Sequence, residues 1–490
     1  QMNNIAFNIA LPLLAAFLLP VIHNGAPRAA RLLGPFILLA MCWFAAVYLN
    51  ILQHPVAIAL GGFLPPMGIS FHLDQLSLLL AVIIPAMLLL LWPYSNREGF
   101  REESLLLLLA GASSGMALSG DLFNIYVFYE LLSVASFGLA ASPRTGAAFA
   151  ATFRYLIISG LGTVLALTGI GLVYTQTGTL NLAHIGQLSA LLDNNVGLAA
   201  FALIVLGIGV KAEVFPVNGW VPEVYATARP RISALLAGLI SKLAVLVMVR
   251  LLVVAYADSN ALTLLLVLGI LGISWGELSA WRAKDLKRMF AFSSIGQLGV
   301  VLVAFSIPGE AGMFAGIAMM LHHLLVKPAL FMLTDNWSGS IASLSGAAKQ
   351  SPLAAALFIL FALSLIGVPP FPVFWAKLIM VTGLVGADTP LYLLALGILL
   401  TATVIEANYL IRCAIQIYAP ADENSSSSVV SGRLSLSISS ALAVALIVSL
   451  FSITPLGNRL YQIAAEAANK SLYINTTFAR GEMPVMRTIQ

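Results

Sequence analysis

Apolar residues run down this chain in stretches near 20 residues long, separated by short polar breaks, and the pattern repeats from one end to the other. A helix needs about 20 such residues to cross roughly 30 Å of hydrocarbon. About fourteen stretches qualify, at roughly 5–22, 31–52, 73–93, 103–120, 122–141, 152–175, 196–222, 232–256, 260–280, 289–307, 312–334, 352–385, 390–413 and 435–455. The short alternating segments of a membrane barrel are absent, which leaves a helical bundle as the architecture that satisfies backbone groups in lipid. The pattern therefore predicts an all-α polytopic membrane protein of about 14 transmembrane helices.

Two spans depart from the rest. The seventh contains Pro216 and Pro222, and the twelfth contains Pro369, Pro370 and Pro372. Proline removes a backbone donor and clashes with the preceding turn, so each span is predicted to split into two half-helices around an unwound segment. The breaks lie five spans apart, and paired interruptions of this kind point to inverted repeats with an ion site between them. The expected organisation is a three-helix segment at 1–102, one repeat at 103–256 (spans four to eight), a second at 257–413 (spans nine to thirteen), and a loop, last span and tail at 414–490. Asp422 to Ser428 reads as a flexible cytoplasmic loop. The first span lacks a basic leader and a small-residue cleavage site, so it reads as a retained helix.

Composition agrees: 60% of residues are hydrophobic and only 9% charged, against about 25% charged in a soluble protein. The net charge of +4 suggests no nucleic-acid partner, because the basic residues are spread over alternate loops. Arg28 and Arg31 fall in the first loop, Arg97 and Arg101 in the third, Arg144 and Arg154 around the fifth, and Arg229 and Arg231 in the seventh. Arg282, Lys284, Lys287 and Arg288 fill the ninth, Lys349 the eleventh, and Arg412 and Arg433 flank the thirteenth, while the even loops have none. The positive-inside rule then puts odd loops in the cytoplasm and both termini outside, in a prokaryotic cell membrane. Cys42 and Cys413 both lie in apolar spans, so no disulfide, metal site or other cofactor is expected.

Against this background a few charges stand out. An ammonium near the bilayer centre costs roughly 2.5–3.5 kcal/mol on insertion scales and is retained only with a partner or a use. Lys211 falls five residues before Pro216, and Lys377 five residues after Pro372, so each is placed beside an unwound stretch whose carbonyls and water can solvate it. Glu130 lies nine residues into its helix, roughly 13 Å deep, and the expected partner is Lys211. Lys242, His323 and Lys327 add further groups; His323 and Lys327 are four apart and share a face, whereas His322 points elsewhere. Lys327 is the expected link between the halves, and Glu406 a candidate outlet, with Arg412 or a neighbouring subunit as alternative partner. Glu213 and Arg154 are secondary candidates. Arg250 and Glu277 read as structural ties, and the loop Trp281 to Arg288 as a topology anchor. The ordinary alternative for every member is a fixed ion pair in a tight bundle. A row of such groups reads as a path for protons or small cations.

The segments Lys211-Ala-Glu-Val-Phe-Pro-Val-Asn-Gly-Trp220-Val-Pro222, Asp285-Leu-Lys-Arg-Met-Phe-Ala-Phe-Ser-Ser-Ile-Gly-Gln297 and Gly367-Val-Pro-Pro-Phe-Pro-Val-Phe-Trp-Ala-Lys377 resemble the antiporter-like membrane subunits of respiratory complex I, membrane-bound hydrogenases and Mrp-type cation/proton antiporters. With Gly120 to Glu130 and the chain length, the resemblance is greatest to the D-type subunits of the Mrp antiporters. It implies that Glu130 pairs with Lys211, that Lys242, His323 and Lys327 continue a central hydrophilic axis, and that Lys377 completes a second half-channel. It further implies membrane-subunit partners, including a homologous antiporter-like subunit, with protons and sodium ions as the cargo; a pumping subunit of a hydrogenase or complex I is the alternative. Asn218-Gly219, where complex I relatives carry a histidine, and Glu213 beside Lys211 depart from the complex I pattern. A scaffold whose charges only hold neighbours is the competing class, and no nucleophile–base set suggests an enzyme.

Overall fold

The computed structural model describes residues 5–94, 100–256, 258–337, 339–421 and 432–478. Arg97, the Asp422 to Ser428 run, Arg480 and Arg487 lie outside the described residues. The chain is a bundle of helices in which ten of those described are long and apolar enough to cross a membrane. It is thus a multi-pass, all-α membrane protein, with one small addition in the form of a β-hairpin.

The N-terminal segment contains α1 (Phe7–Gly25), α2 (Pro27–Ile51), the antiparallel strands β1 (Val56–Ala59) and β2 (Ser70–Leu73), and α3 (Gln75–Leu90). Next come α4 (Phe100–Leu118), α5 (Leu122–Ala140), α6 (Gly146–Thr177) and the short α7 (Leu182–Gln187). The seventh span is divided into α8 (Asn195–Gly209) and α9 (Val221–Thr227). The eighth is continuous from Pro230 to Ala255 as α10 (Pro230–Leu235), a π-helical turn Leu236–Ile240 and α11 (Ser241–Ala255). Then follow α12 (Ser259–Arg282), α13 (Leu286–Ser306), α14 (Glu310–Leu333) and a single turn, α15 (Ala347–Gln350). The twelfth span is divided into α16 (Pro352–Ile366) and α17 (Pro372–Gly386), and α18 (Pro390–Tyr418), α19 (Arg433–Phe451), α20 (Ile453–Ala467) and α21 (Lys470–Phe478) complete the chain.

Short polar residues start the helices where the sequence breaks its apolar runs. Asp74 caps α3 and closes a reciprocal pair with Ser77, Asp121 caps α5, Thr145 caps α6 and Asp285 caps α13, each accepting from a backbone N–H of the first turn. The segments before α3, α5 and α7 meet on one face, where Phe71 pairs with Ser119 and Asp121 with Asn181; those before α13 and α15 meet on a second, where Asp285 pairs with Ser340. On that second face Arg231 grips Glu102 at 2.7 and 2.9 Å, and Arg288 bonds Asp285 at 2.8 Å and Glu223 at 2.9 Å. Arg288 of the basic loop thus ties the start of α13 to α9.

Two spans are buried all round: 100% of the hydrophobic stretch of Pro230–Ala255 and 94% of that of α13 lie inside the protein. α12 meets α13 through glycines, as small residues allow in lipid. At Gly276 an added Cβ would fall 2.3 Å from the Gly296 backbone nitrogen. This close approach carries the neighbouring Glu277 onto α13.

Candidate functional site

The interruption of the seventh span runs from residue 210 to 220, and Lys211 sits inside it, not in a helix as its apolar surroundings suggest. Pro216 cannot donate and the freed carbonyls find other partners: Trp220 Nε1 donates to the Val210 carbonyl at 3.0 Å and Asn218 Nδ2 to that of Glu213 at 3.1 Å. Pro222 belongs to the first turn of α9 and begins a helix instead of breaking one. Lys211 is 1% exposed. Its Nζ donates to Ser159 Oγ at 3.3 Å and stands 4.2 Å from the centre of the Tyr129 ring, a cation–π contact.

The half-buried Glu130 accepts from Thr163 Oγ1 at 2.6 Å. Ser159 and Thr163 are one turn apart on α6 and so share a face. Glu130 and Lys211 are thus neighbours through the hydroxyls of one helix, and among the described residues they form no direct ion pair. The sequence suggests direct pairing because it shows charge and depth but not the helix between.

Glu213, two residues on, has φ of +59° and is 1% exposed. One carboxylate oxygen accepts from Tyr225 at 2.6 Å and from Ser294 at 3.1 Å, while the other has no hydrogen-bond partner. Ser294 Oγ lies 3.4 Å from His323 Nε2, and His323 Nδ1 touches Lys242 Nζ. Lys242 follows the π-helical turn, whose widened ladder leaves the Ala237 carbonyl able to accept from Nζ at 2.5 Å; such turns recur at functional sites. Lys327, fully buried, donates to Ser293 Oγ at 2.6 Å.

In the second half the break falls at 367–371, containing Pro369 and Pro370, and Gly367 ends α16 with φ of +88°. Lys377 reaches back to the last carbonyls of α16, donating to Leu365 at 3.1 Å and Ile366 at 2.9 Å, where the negative end of the helix favours a cation. Its Nζ is 3.7 Å from Glu406 Oε2, and Glu406 Oε1 accepts from Gln297 at 2.6 Å. Arg412 donates to the Trp281 carbonyl instead, which removes it as the partner of Glu406. His322 turns away from His323 to Ser364 Oγ at 2.7 Å.

Glu277, read as a structural tie, is buried and accepts from Tyr409 at 3.0 Å, joining α12 to α18 beside this row. Arg154 is exposed on α6, because its position in the helix points it away from the Ser159–Thr163 face. Arg250 remains a tie, bonded to Asp74 at 2.6 Å. The residues that sequence reasoning misses are hydroxyls and an amide: Ser159, Thr163, Ser293, Ser294 and Gln297. The signal is present in the run Ser293-Ser-Ile-Gly-Gln297, polar residues in a helix buried on every side.

Chemically, the arrangement interleaves ammonium groups, carboxylates and imidazoles with hydroxyls that both donate and accept. α13 is its spine, since Ser294 touches Glu213 and His323, Ser293 touches Lys327, and Gln297 touches Glu406.

The family model described as NADH:quinone oxidoreductase/Mrp antiporter, transmembrane, matches residues 119–405. NADH-quinone oxidoreductase subunit N of Desulforudis audaxviator is 32% identical over 375 residues, 73% of this chain and 74% of that one. The D-type subunit of the Na(+)/H(+) antiporter of Bacillus subtilis is 29% identical over 398 residues, 77% of this chain and 80% of its own. Among solved structures, a chain of the membrane-bound sulfane sulfur reductase, an archaeal respiratory membrane complex, superposes with a TM-score of 0.88 at 30% identity, covering 96% of this chain and 99% of that one.

Proposed function

The chain belongs to the NADH:quinone oxidoreductase/Mrp antiporter transmembrane family, and from that premise we propose that it is the proton-translocating membrane subunit of a multisubunit sodium/proton antiporter. The proton moves along the row of Glu130, Lys211, Lys242, His323, Lys327 and Lys377, with Glu213 relaying it between the halves and Glu277 and Glu406 as the carboxylates that balance it. In this reading the chain makes fourteen crossings as two inverted five-helix repeats, spans four to eight and nine to thirteen, each with one broken span. Odd loops face the cytoplasm of a prokaryotic cell, and other membrane subunits, one of them homologous, cover its sides. It carries protons without catalysing a covalent reaction.

The observation that supports this is the chain of contacts Tyr225–Glu213–Ser294–His323–Lys242, which joins the unwound segment of the first half to α14 of the second. Glu213 is buried at this junction, with Tyr225 of the first half and Ser294 of α13 both donating to the same carboxylate oxygen, so a carboxylate stands where the two halves meet.

A second reading has its own support: the subunit N relative and the sulfane sulfur reductase neighbour both belong to redox complexes. In it the same row pumps protons driven by electron transfer elsewhere. Two experiments test these proposals. Lys211→Ala or Glu130→Ala in the intact, normally assembled complex should abolish ion-coupled proton flux; normal flux would reject the assigned path. Co-purifying subunits with flavin, iron–sulfur or nickel would favour the redox pump, and their absence the antiporter.

A further inference from the structure

A groove of about 860 Å³ opens between the N-terminal segment and the second half, lined by Ile83 of α3, Leu321 of α14, Ala376 of α17, Leu446 of α19 and Ile463 of α20. Along α14 its lining runs from Phe314 to Leu325, roughly 16 Å at 1.5 Å per residue. That is close to half of the ~30 Å hydrocarbon thickness, the depth of one leaflet. The deep end holds His322, whose ring is bonded to Ser364 beside the Lys377–Glu406 pair. The outer end is bordered by α20, an amphipathic helix that buries Leu460, Ile463 and Ala464 and exposes Arg459 and Tyr461. Helices of this type lie at headgroup level.

Arg459 is the charge at that rim. It donates to two neutral amides, Gln75 Oε1 at 2.6 Å and Gln462 Oε1 at 3.4 Å, and forms no ion pair within 4 Å among the described residues; the carboxylate that feels its charge, Glu466, is itself held by the Gln75 backbone N–H at 2.7 Å. A guanidinium in this state retains donors suited to the oxygens of a phosphate. An apolar slot one leaflet deep, with an arginine at its headgroup end that keeps free N–H donors, matches one kind of molecule.

We propose that this groove is a binding site for one anionic phospholipid of the leaflet on the α20 side, its acyl chain running to His322 and its phosphate on Arg459. The bound chain fills the space beside His322 and keeps water from entering sideways to Lys377 and Glu406. This last role rests on the proton-path reading; the binding itself does not.

The test uses the intact complex reconstituted with phosphatidylglycerol carrying a photoreactive acyl chain, with phosphatidylcholine carrying the same chain as the comparison, and maps the labelled peptides. Phosphatidylglycerol should label α3, α14 and α17 around Ile83, Leu321 and Ala376 in preference to phosphatidylcholine. Ala376→Trp, which fills the groove, should abolish that labelling, and Ala318→Trp serves the same purpose if the first variant does not assemble. Arg459→Gln should keep the labelling but remove most of the preference for the anionic lipid. Equal labelling by both lipids in the unaltered complex, labelling untouched by the filled groove, or a partner polypeptide cross-linked in the slot would each overturn the proposal. Loss of the lipid with proton flux unchanged would leave the site intact and overturn only its role in sealing the path.

Discussion

The two halves of the bundle hold their broken-span lysines differently. In the first, Lys211 lies in the unwound segment and leans on Ser159 and the Tyr129 face, while Glu130 is held one turn away by Thr163. In the second, Lys377 stands in a helix, bonded to two carbonyls at the end of α16 and 3.7 Å from Glu406. Hydroxyls rotate and exchange donor for acceptor; helix-end carbonyls only accept. In the proposed path the first half thus suits a charge that changes partners, and the second a cation held in place until its carboxylate changes state.

The sharpest way to break this comparison is to remove the direct pair. Glu406→Ala leaves the part-buried Lys377 without its counter-charge, an effect below the about 3–5 kcal/mol of fully buried pairs but the largest expected here. The thermal midpoint of the complex should fall markedly, and Lys377→Met in the same chain should recover part of the loss. If the single variant is as stable as the parent, the second half holds no working pair.

Gly296→Ala comes next. The new methyl would sit 2.3 Å from Glu277 Oε1, and overpacking of a tight site costs about 1–3 kcal/mol. Reduced stability and slowed proton flux are expected together, and an unaffected protein would show that Glu277 has room to move aside. In the first half, Thr163→Val removes one hydrogen bond to a charged group, worth about 1.5 kcal/mol at the low end. Flux should drop roughly tenfold by the usual conversion of barrier to rate, and Thr163→Ser should restore it.

The smallest effect concerns the hairpin face. His72 is buried, stacks on Tyr473 at 3.8 Å, and burial holds its imidazole down at about 3 from an ordinary 6.5. The folded state keeps the ring neutral, whereas the unfolded chain takes up a proton below about 6.5. Stability from this group is thus full above that pH and lost as pH falls towards 3. His72→Phe should flatten the acid limb of the thermal midpoint relative to the parent; parallel curves would show that another group sets it.

Much of this design is legible in the sequence, and the reasons are particular. Apolar runs and loop polarity locate the helices, and prolines locate both breaks, because these are local properties of the chain. Lys211, Lys242, His323, Lys327, Lys377 and Glu406 are visible because charge in an apolar run is conspicuous. Ser293, Ser294, Gln297, Ser159 and Thr163 are not, since a buried serine is common and only its neighbours make it a relay. Glu277 escapes the row at sequence level because Gly296, on another helix, makes its place. The helix α20 hides in the expected tail, its Leu460, Ile463 and Ala464 being too widely spaced to register as a span.

In the proposed path, charge passes between the halves through Glu213. This passage is tested most directly by ion-gradient-driven proton flux into vesicles containing the intact complex with Glu213→Gln, which keeps the shape and an acceptor for Tyr225 and Ser294 but removes the titrating carboxylate. The account predicts a fall in flux of at least roughly tenfold, a barrier change of about 1.4 kcal/mol or more, with assembly unchanged. Flux at the parental rate would contradict it.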